Sequence, residues 1–327
     1  MRDKKAIGDR MRAAVLTGPG TIEVRLAPIP EPASHEVRVR LEGCGVCASN
    51  LGPWSGPEWM QYPTPPGSMG HEGWGEIDAV GCEVRDLARG DRVVILSQNA
   101  YAEFDVAPAT QVVRLPSSLE DQPFPGEPIG CAMNIFHRSR IKPGDVVAVV
   151  GTGFIGLLLI QLAAAAGAEV IATSRRRFAL DLASEAGAAH IVPMENHGEV
   201  IRRVKALTEG RFCDVAIEAV GLQWPLDLAA ELVRERGTLV IAGYHQDGPR
   251  QVNMQSWNWR GIDVVNAHER DPGVYMQGIR EAIAACVNGR LDPSSYLTHR
   301  YSLEELGTAL DATRDRPPGF LKAVITF

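Results

Sequence analysis

Between residues 143 and 268 short apolar runs alternate with helical patterns: "DVVAVVG", a helix, "EVIATS", a helix, "AHIV", a helix, "DVAIEAVG", a helix, "GTLVIAG" and "IDVVNA". This alternation constrains the chain more than any other feature. Strands joined through helices run parallel, with the crossovers packed on the sheet, so the segment predicts a doubly wound α/β domain. Upstream, from Met11 to about residue 118, the signals are short strands between Gly and Pro clusters: "AAVLT", "IEVRLAPIP", "EVRVRLEG", "GEIDAVG", "DRVVIL" and "YAEFDVAP". They predict a compact, mostly antiparallel β domain. Past residue 268 come a helix ("YMQGIREAIAACVNG"), an amphipathic segment and a last strand, "LKAVITF", which needs a sheet to join. The β domain is its natural host. The division expected is residues 1–128, with 269–327 returning to them, and residues 129–268. Residues 1–10 read as a solvated tail.

At 327 residues, with 45% apolar and 22% charged residues, the chain has the composition of a soluble protein of two domains. A net charge of −7 argues against a nucleic-acid or anionic-membrane partner. The longest apolar run, "IGLLLIQLAAAAGA", is too short to cross a bilayer, and "MRDKKAIGDR" at the start is not a secretory signal. Six cysteines without a disulfide pattern complete the expectation of a cytoplasmic protein with reduced thiols.

The first α/β turn reads Gly151-x-Gly153-x-x-Gly156, directly after an apolar strand, with Phe154 and Ile155 opening the helix. That context suits a dinucleotide: Gly151 for the tight turn, Gly153 for approach to a pyrophosphate, Gly156 for close helix–strand packing. The next strand ends in Ser174-Arg175-Arg176-Arg177, where a carboxylate would hold the ribose of NAD. A hydroxyl and guanidinium groups suit a 2′-phosphate, and cations at a helix start oppose its dipole. NADP(H) is the expected cofactor, with NAD(H) as the alternative.

In the β domain, Cys47 precedes His71 by 24 residues, and Glu72 follows His71 directly. Thiolate, imidazole and carboxylate are zinc's ligand types, and three protein ligands with one open position make a catalytic site. Here the chain resembles the zinc-dependent medium-chain dehydrogenases/reductases, in the sorbitol, polyol and alcohol dehydrogenase branch. The matching stretches are "GCGVCASN", "GSMGHEGWGEIDAVG", "YAEFDVAP", "EPIGCAMNIFHRSRIKPGDVVAVVGTGFIG" and "YSLEELGTALDATRDRPPGFLKAVITF". The resemblance implies an α/β protein with a GroES-like β domain carrying zinc, a Rossmann domain carrying the nicotinamide cofactor, and an active site in the cleft between them. It implies Cys47 and His71 as the first two zinc ligands and Glu72 as a glutamate on or just behind the metal. Ser49 resembles the hydroxyl that passes the substrate proton, and a homodimer or homotetramer joined at the Rossmann sheet edge is implied.

The chain also departs from the resembled pattern. Asn50 stands where Asp is usual, Gly52 stands where some relatives place a relay histidine, and Ser174 replaces the usual acid. The cysteine-rich lobe for a structural zinc is missing, which leaves Cys44 to read as a packed thiol and one catalytic zinc as the expectation. For the third ligand, Glu127 competes with Cys131. Glu127 lies 24 residues before Gly151 and Cys131 only 20, and the spacing implied by the resemblance favours Glu127. Trp54, Trp59 and Met60 are candidates for a substrate cleft or an apolar lid, and His268 for the cleft or a solvated hinge. The reading is a zinc enzyme interconverting a small-molecule secondary alcohol (polyol, sugar or cyclitol) with its ketone. Its rivals are a zinc-free quinone or enoyl reductase on the same scaffold and a non-catalytic redox sensor.

Overall fold

The computed structural model describes residues 9–120 and 122–327. Of the expected N-terminal tail, residues 1–8 lie outside the described residues, and residue 10 already begins a strand. In chain order the first elements are β1 (Arg10–Gly18), β2 (Thr21–Pro28), β3 (Glu36–Gly45), α1 (Leu51–Ser55) and β4 (Gly73–Val80). After them come β5 (Arg92–Ile95), β6 (Phe104–Pro108), β7 (Val112–Arg114) and α2 (Gly126–Ser139). The alternating region supplies β8 (Val146–Val150), α3 (Phe154–Ala165), β9 (Glu169–Ser174), α4 (Arg177–Glu185), β10 (His190–Pro193) and α5 (His197–Leu207). It continues through β11 (Cys213–Glu218), α6 (Gln223–Leu232), β12 (Val233–Ile241), α7 (Met254–Arg260), β13 (Asp263–Asn266) and α8 (Pro272–Val287). The chain closes with β14 (His299–Ser302), α9 (Leu306–Asp315) and β15 (Ala323–Thr326).

Two compact units result: residues through Glu127 together with Ser294–Phe327, and Pro128–Pro293. In the first, a sheet ordered β14-β15-β3-β4-β5-β7 has β6 added on β3, and β1 pairs with β2 as a separate hairpin. Its ladders are antiparallel except β14 on β15. The last strand finds the host its sequence required, since β15 pairs with β3. The core beneath is built from alternate strand residues such as Val37, Val39 and Leu41, joined by Leu306 and Leu310 of α9.

The second unit holds a parallel sheet ordered β10-β9-β8-β11-β12-β13. β8 lies at its centre and every one of its residues is buried, which is why "VVAVV" is continuously apolar. The chain leaves β8 to one side for β9 and returns to the other side at β11, so the strand order reverses between β8 and β11. Ligands of such sheets bind at that switch point, outside the carboxyl ends of the strands.

One expected boundary needs correction. The return to the β domain comes at Ser294, not at residue 269, because α8 packs on α2. A methyl at Gly130 would lie 2.4 Å from Ile279, and one at Gly278 would lie 2.3 Å from Asn134. The Cys131 thiol and the Tyr275 hydroxyl are 2.7 Å apart.

Packing at the dinucleotide turn sets apart two neighbouring glycines. A methyl at Gly156 would stand 2.0 Å from the Gly151 carbonyl oxygen, whereas one at Gly153 meets nothing within 4 Å. Gly156→Ala is therefore expected to cost about 1–3 kcal/mol of stability. Gly153→Ala should stay within about 0.5 kcal/mol of wild type. Urea denaturation of both variants checks this contrast.

Candidate active site

Three strands of the first unit bring the polar cluster together. Cys44 of β3 lies opposite Gly73 of β4, so the segment leaving β3 runs beside the one entering β4. Cys47 on the first and His71-Glu72 on the second are thereby neighbours despite their separation in sequence. Their ligand atoms all lie within 4.8 Å of one another, the one group of its kind among the described residues. On the other side of β3, β15 pairs Val324 with Gly45 and delivers Lys322. Its Nζ is 2.6 Å from Glu72 Oε1, and both side chains are buried.

The glycines around His71 serve this close approach. A methyl at Gly45 would fall 1.7 Å from Glu72 Oε2, and one at Gly70 would fall 2.3 Å from the Tyr101 backbone nitrogen. Gly75 approaches the Arg40 carbonyl just as closely. Met69, with φ +74, carries an ordinary side chain in the left-handed region. Its carbonyl accepts from His71 Nδ1 at 2.8 Å and from Asn50 Nδ2 at 3.0 Å. Tyr101, fully buried, donates to Asn50 Oδ1 at 2.9 Å. Asn50 thus orients the imidazole through a shared carbonyl, a task that needs its amide donor and that an ionised Asp could not perform. With Nδ1 donating to the Met69 carbonyl, Nε2 is the His71 nitrogen left for a metal, which would take the place of its proton.

Burial pulls the His71 pKa down, but hydrogen bonding and charge from Cys47, with Glu127 and Glu72, raise it to about 10. Burial likewise lowers Lys322, and the charges of Glu72, Cys47 and Glu127 more than restore it, leaving it above the ordinary lysine value. The pocket therefore favours positive charge. Glu72 Oε2 is buried without a hydrogen-bond partner, a state that costs free energy unless something binds there. Sulfur, nitrogen and carboxylate donors around an orphaned oxygen fit a zinc ion.

The structure brings Cys47, His71 and Glu72 into one cluster, with Ser49 half-buried in the short turn Ala48–Asn50 that follows Cys47. Glu127 is not a member of that cluster, although its charge acts on both His71 and Lys322. Cys131 contacts Tyr275. Cys44 is fully buried, and desolvation drives its thiol pKa well up, as for a packed residue. Trp54 is buried in the core of the first unit, and its indole donates to Asp311 of α9 at 3.0 Å. Trp59 is 70% exposed, Met60 packs on the core, and the exposed His268 stacks with Tyr244. Lys322 escaped the sequence reading, and its one signal was a lysine inside the apolar "FLKAVITF".

In the second unit the dinucleotide turn has each property its glycines suggested. Gly151 has φ +106, Gly153 faces open space at the start of α3, and Gly156 touches Gly151. Thr152 Oγ1 is buried without a partner, and α3 has no side-chain cap, so donors are left for a ligand. Phe154 is buried and Ile155 half-buried in the first turn. Ser174 ends β9, and its Oγ accepts from the Arg176 amide at 3.3 Å. Arg175 is exposed and Arg176 half-buried, whereas Arg177 pairs with Asp181 at 2.8 Å.

Two family models match the chain. The alcohol dehydrogenase GroES-like domain covers residues 33–117, and the zinc-binding dehydrogenase model covers residues 155–284. Sorbitol dehydrogenase of Bacillus subtilis (strain 168) is 27% identical over 93% of this chain and 94% of its own. (R,R)-butanediol dehydrogenase of Neisseria gonorrhoeae is 28% identical over 90% and 93%. A zinc-binding dehydrogenase structure from Sinorhizobium meliloti 1021, bound to NADP, superposes with a TM-score of 0.85 at 28% identity. That alignment covers 98% of this chain and all of the other. Among the described residues no helix is long and apolar enough to cross a membrane.

The buried pair yields a stability test. In metal-free protein Lys322→Met leaves Glu72 a buried carboxylate without its counter-charge and is expected to cost about 3–5 kcal/mol. Adding Glu72→Gln removes the stranded charge and should restore most of that loss. Equilibrium denaturation of the single and double variants measures it.

Proposed function

The chain belongs to the zinc-type medium-chain dehydrogenase family, and on that premise we propose that it is a zinc-dependent, NADP(H)-preferring oxidoreductase interconverting a secondary alcohol with its ketone. The observation that carries this reading is the Cys47/His71/Glu72 cluster with its orphaned carboxylate oxygen. The substrate class proposed is a polyol, sugar or cyclitol hydroxyl, in keeping with the sorbitol and butanediol named for two relatives. Cys47, His71 and Glu127 would hold the metal, with Glu72 as a direct or alternate ligand. When bound, zinc supplies polarisation of the substrate oxygen, and the nicotinamide supplies the hydride acceptor or donor.

The remaining work falls to side chains of this chain. Ser49, two residues beyond Cys47, relays the substrate proton: during oxidation its Oγ takes that proton as its own passes on towards solvent, and during reduction the transfer runs in reverse. Asn50 and the Met69 carbonyl keep the His71 ring in one orientation. Lys322 holds Glu72 Oε1 and leaves Oε2 turned to the cluster. The amides at the start of α3, with Gly151, Gly153 and Gly156, receive the pyrophosphate, and Ser174 with Arg175 and Arg176 receives the 2′-phosphate. A second copy of the chain is the expected partner, at the sheet edge where β13 exposes Val264.

Two measurements test the proposal. Elemental analysis should find about one zinc per chain. Glu127→Ala should lower both zinc content and turnover in a screen of polyols, sugars and cyclitols, and Cys131→Ala neither. The reverse result assigns the third position to Cys131.

Steady-state rates should give a higher kcat/KM with NADP than with NAD, and Ser174→Asp should invert that order by repelling the 2′-phosphate. A wild-type preference for NAD of about tenfold, or about 1.4 kcal/mol, contradicts the assignment of Ser174 and Arg175.

A further inference from the structure

A second buried carboxylate, remote in sequence from the metal cluster, closes a ring of hydrogen bonds at the switch point of the parallel sheet. Glu218 is the last residue of β11 and has no exposed surface. Its Oε1 accepts from the backbone amides of Val220 and Gly221, both at 2.7 Å. Its Oε2 faces His245 Nε2 at 3.1 Å. On the far side of the ring Arg250 Nε donates to His245 Nδ1 at 2.8 Å. Because a guanidinium only donates, Nδ1 is the acceptor nitrogen and Nε2 carries the proton given to Glu218. Arg250 Nη2 then donates to the Gly221 carbonyl at 2.9 Å, and Arg250 is paired with Asp247. The Gly221 residue is thus held at both its N–H and its C=O.

Contacts around the ring admit little movement. Gly221 has φ +85, and a methyl there would lie 2.5 Å from the Tyr244 carbonyl oxygen. A methyl at Gly243 would lie 2.2 Å from the Gly221 nitrogen. The loop so fixed, residues 219–221, packs on the dinucleotide turn: Ala219 N donates to Val150 O at 2.9 Å, and a methyl at Gly151 would meet Val220 at 2.4 Å.

We propose that His245 and Arg250 are positioning residues for the nicotinamide cofactor, which with Glu218 lock residues 219–221 as the fixed wall of the crevice beside Gly151. Neither touches the reacting atoms. They remove the ordering that the loop would otherwise undergo on binding, so they act on affinity and not on chemistry. This inference rests on the dinucleotide reading of the Gly151 turn.

The test uses the full-length protein with NADPH as the probe. His245→Ala and Arg250→Ala should each raise the calorimetric Kd about tenfold. Cofactor KM should rise with them while kcat stays within about twofold. As members of one ring, the two changes combined should weaken binding little more than either alone. His245→Gln is the rescue, because its amide can donate to Glu218 and accept from Arg250, and it should bind like wild type. Hydrogen exchange in the cofactor-free protein should quicken at residues 219–222 in the alanine variants and not in His245→Gln. If wild type binds NADPH and the alanine variants bind it equally well, or if His245→Gln is as weak as His245→Ala, the inference is overturned alone. If wild type binds neither NADPH nor NADH, the dinucleotide reading fails and the inference goes with it. Should His245→Ala not fold, Arg250→Ala and His245→Gln carry the same comparison.

Discussion

The buried ion pair between Glu72 and Lys322 is the contact on which the arrangement of the first unit depends. Burying a carboxylate costs free energy that a counter-charge offsets, and here that charge arrives from 250 residues away. The last strand, β15, therefore does more than complete the sheet. It sets Lys322 behind β3, opposite the side where β4 presents His71 and Glu72. Gly45, between the two, has no side chain because the Glu72 carboxylate occupies that space. Sheet register, a missing Cβ and one lysine together place three ligand-type atoms within reach of a single ion.

The two buried glutamates show how the same group serves opposite ends. Glu218 has both oxygens engaged, by two amides and an imidazole, so it closes a loop and offers nothing further. Glu72 has one oxygen on Lys322 and the other without a partner. The satisfied carboxylate is structural, and the half-satisfied one is where a ligand belongs. Thr152, buried with an unpartnered hydroxyl at the start of α3, repeats that distinction in the second unit.

What the sequence conveyed was whatever depends on local pattern. The strand–helix alternation gave the parallel sheet, and the glycine spacing gave a turn whose three glycines meet three different steric conditions. Cys47, His71 and Glu72 could be grouped because their residue types share one chemistry. Features set by distant partners stayed hidden. Lys322 looks like any charge near the end of a strand until β15 is seen against β3. Helix α8 belongs to the second unit and not, as its place in the chain suggests, to the first, because amphipathicity says that a face is buried and not which helix covers it. The bond from the Trp54 indole to Asp311 of α9 likewise joins residues far apart in the chain. His245 and Arg250 lie in a polar loop that carries no periodic signal, so their ring with Glu218 emerges only in three dimensions.

Zinc K-edge absorption spectroscopy of the reconstituted, substrate-free protein examines the metal centre most directly, because it counts sulfur ligands apart from nitrogen and oxygen. The expected result is a single sulfur at about 2.3 Å, from Cys47, with the remaining scatterers at about 2.0–2.2 Å, as for histidine and carboxylate. Cys47→Ser should abolish the sulfur contribution. A zinc without sulfur, or one with two sulfurs, would contradict the centre described for Cys47, His71 and the glutamates.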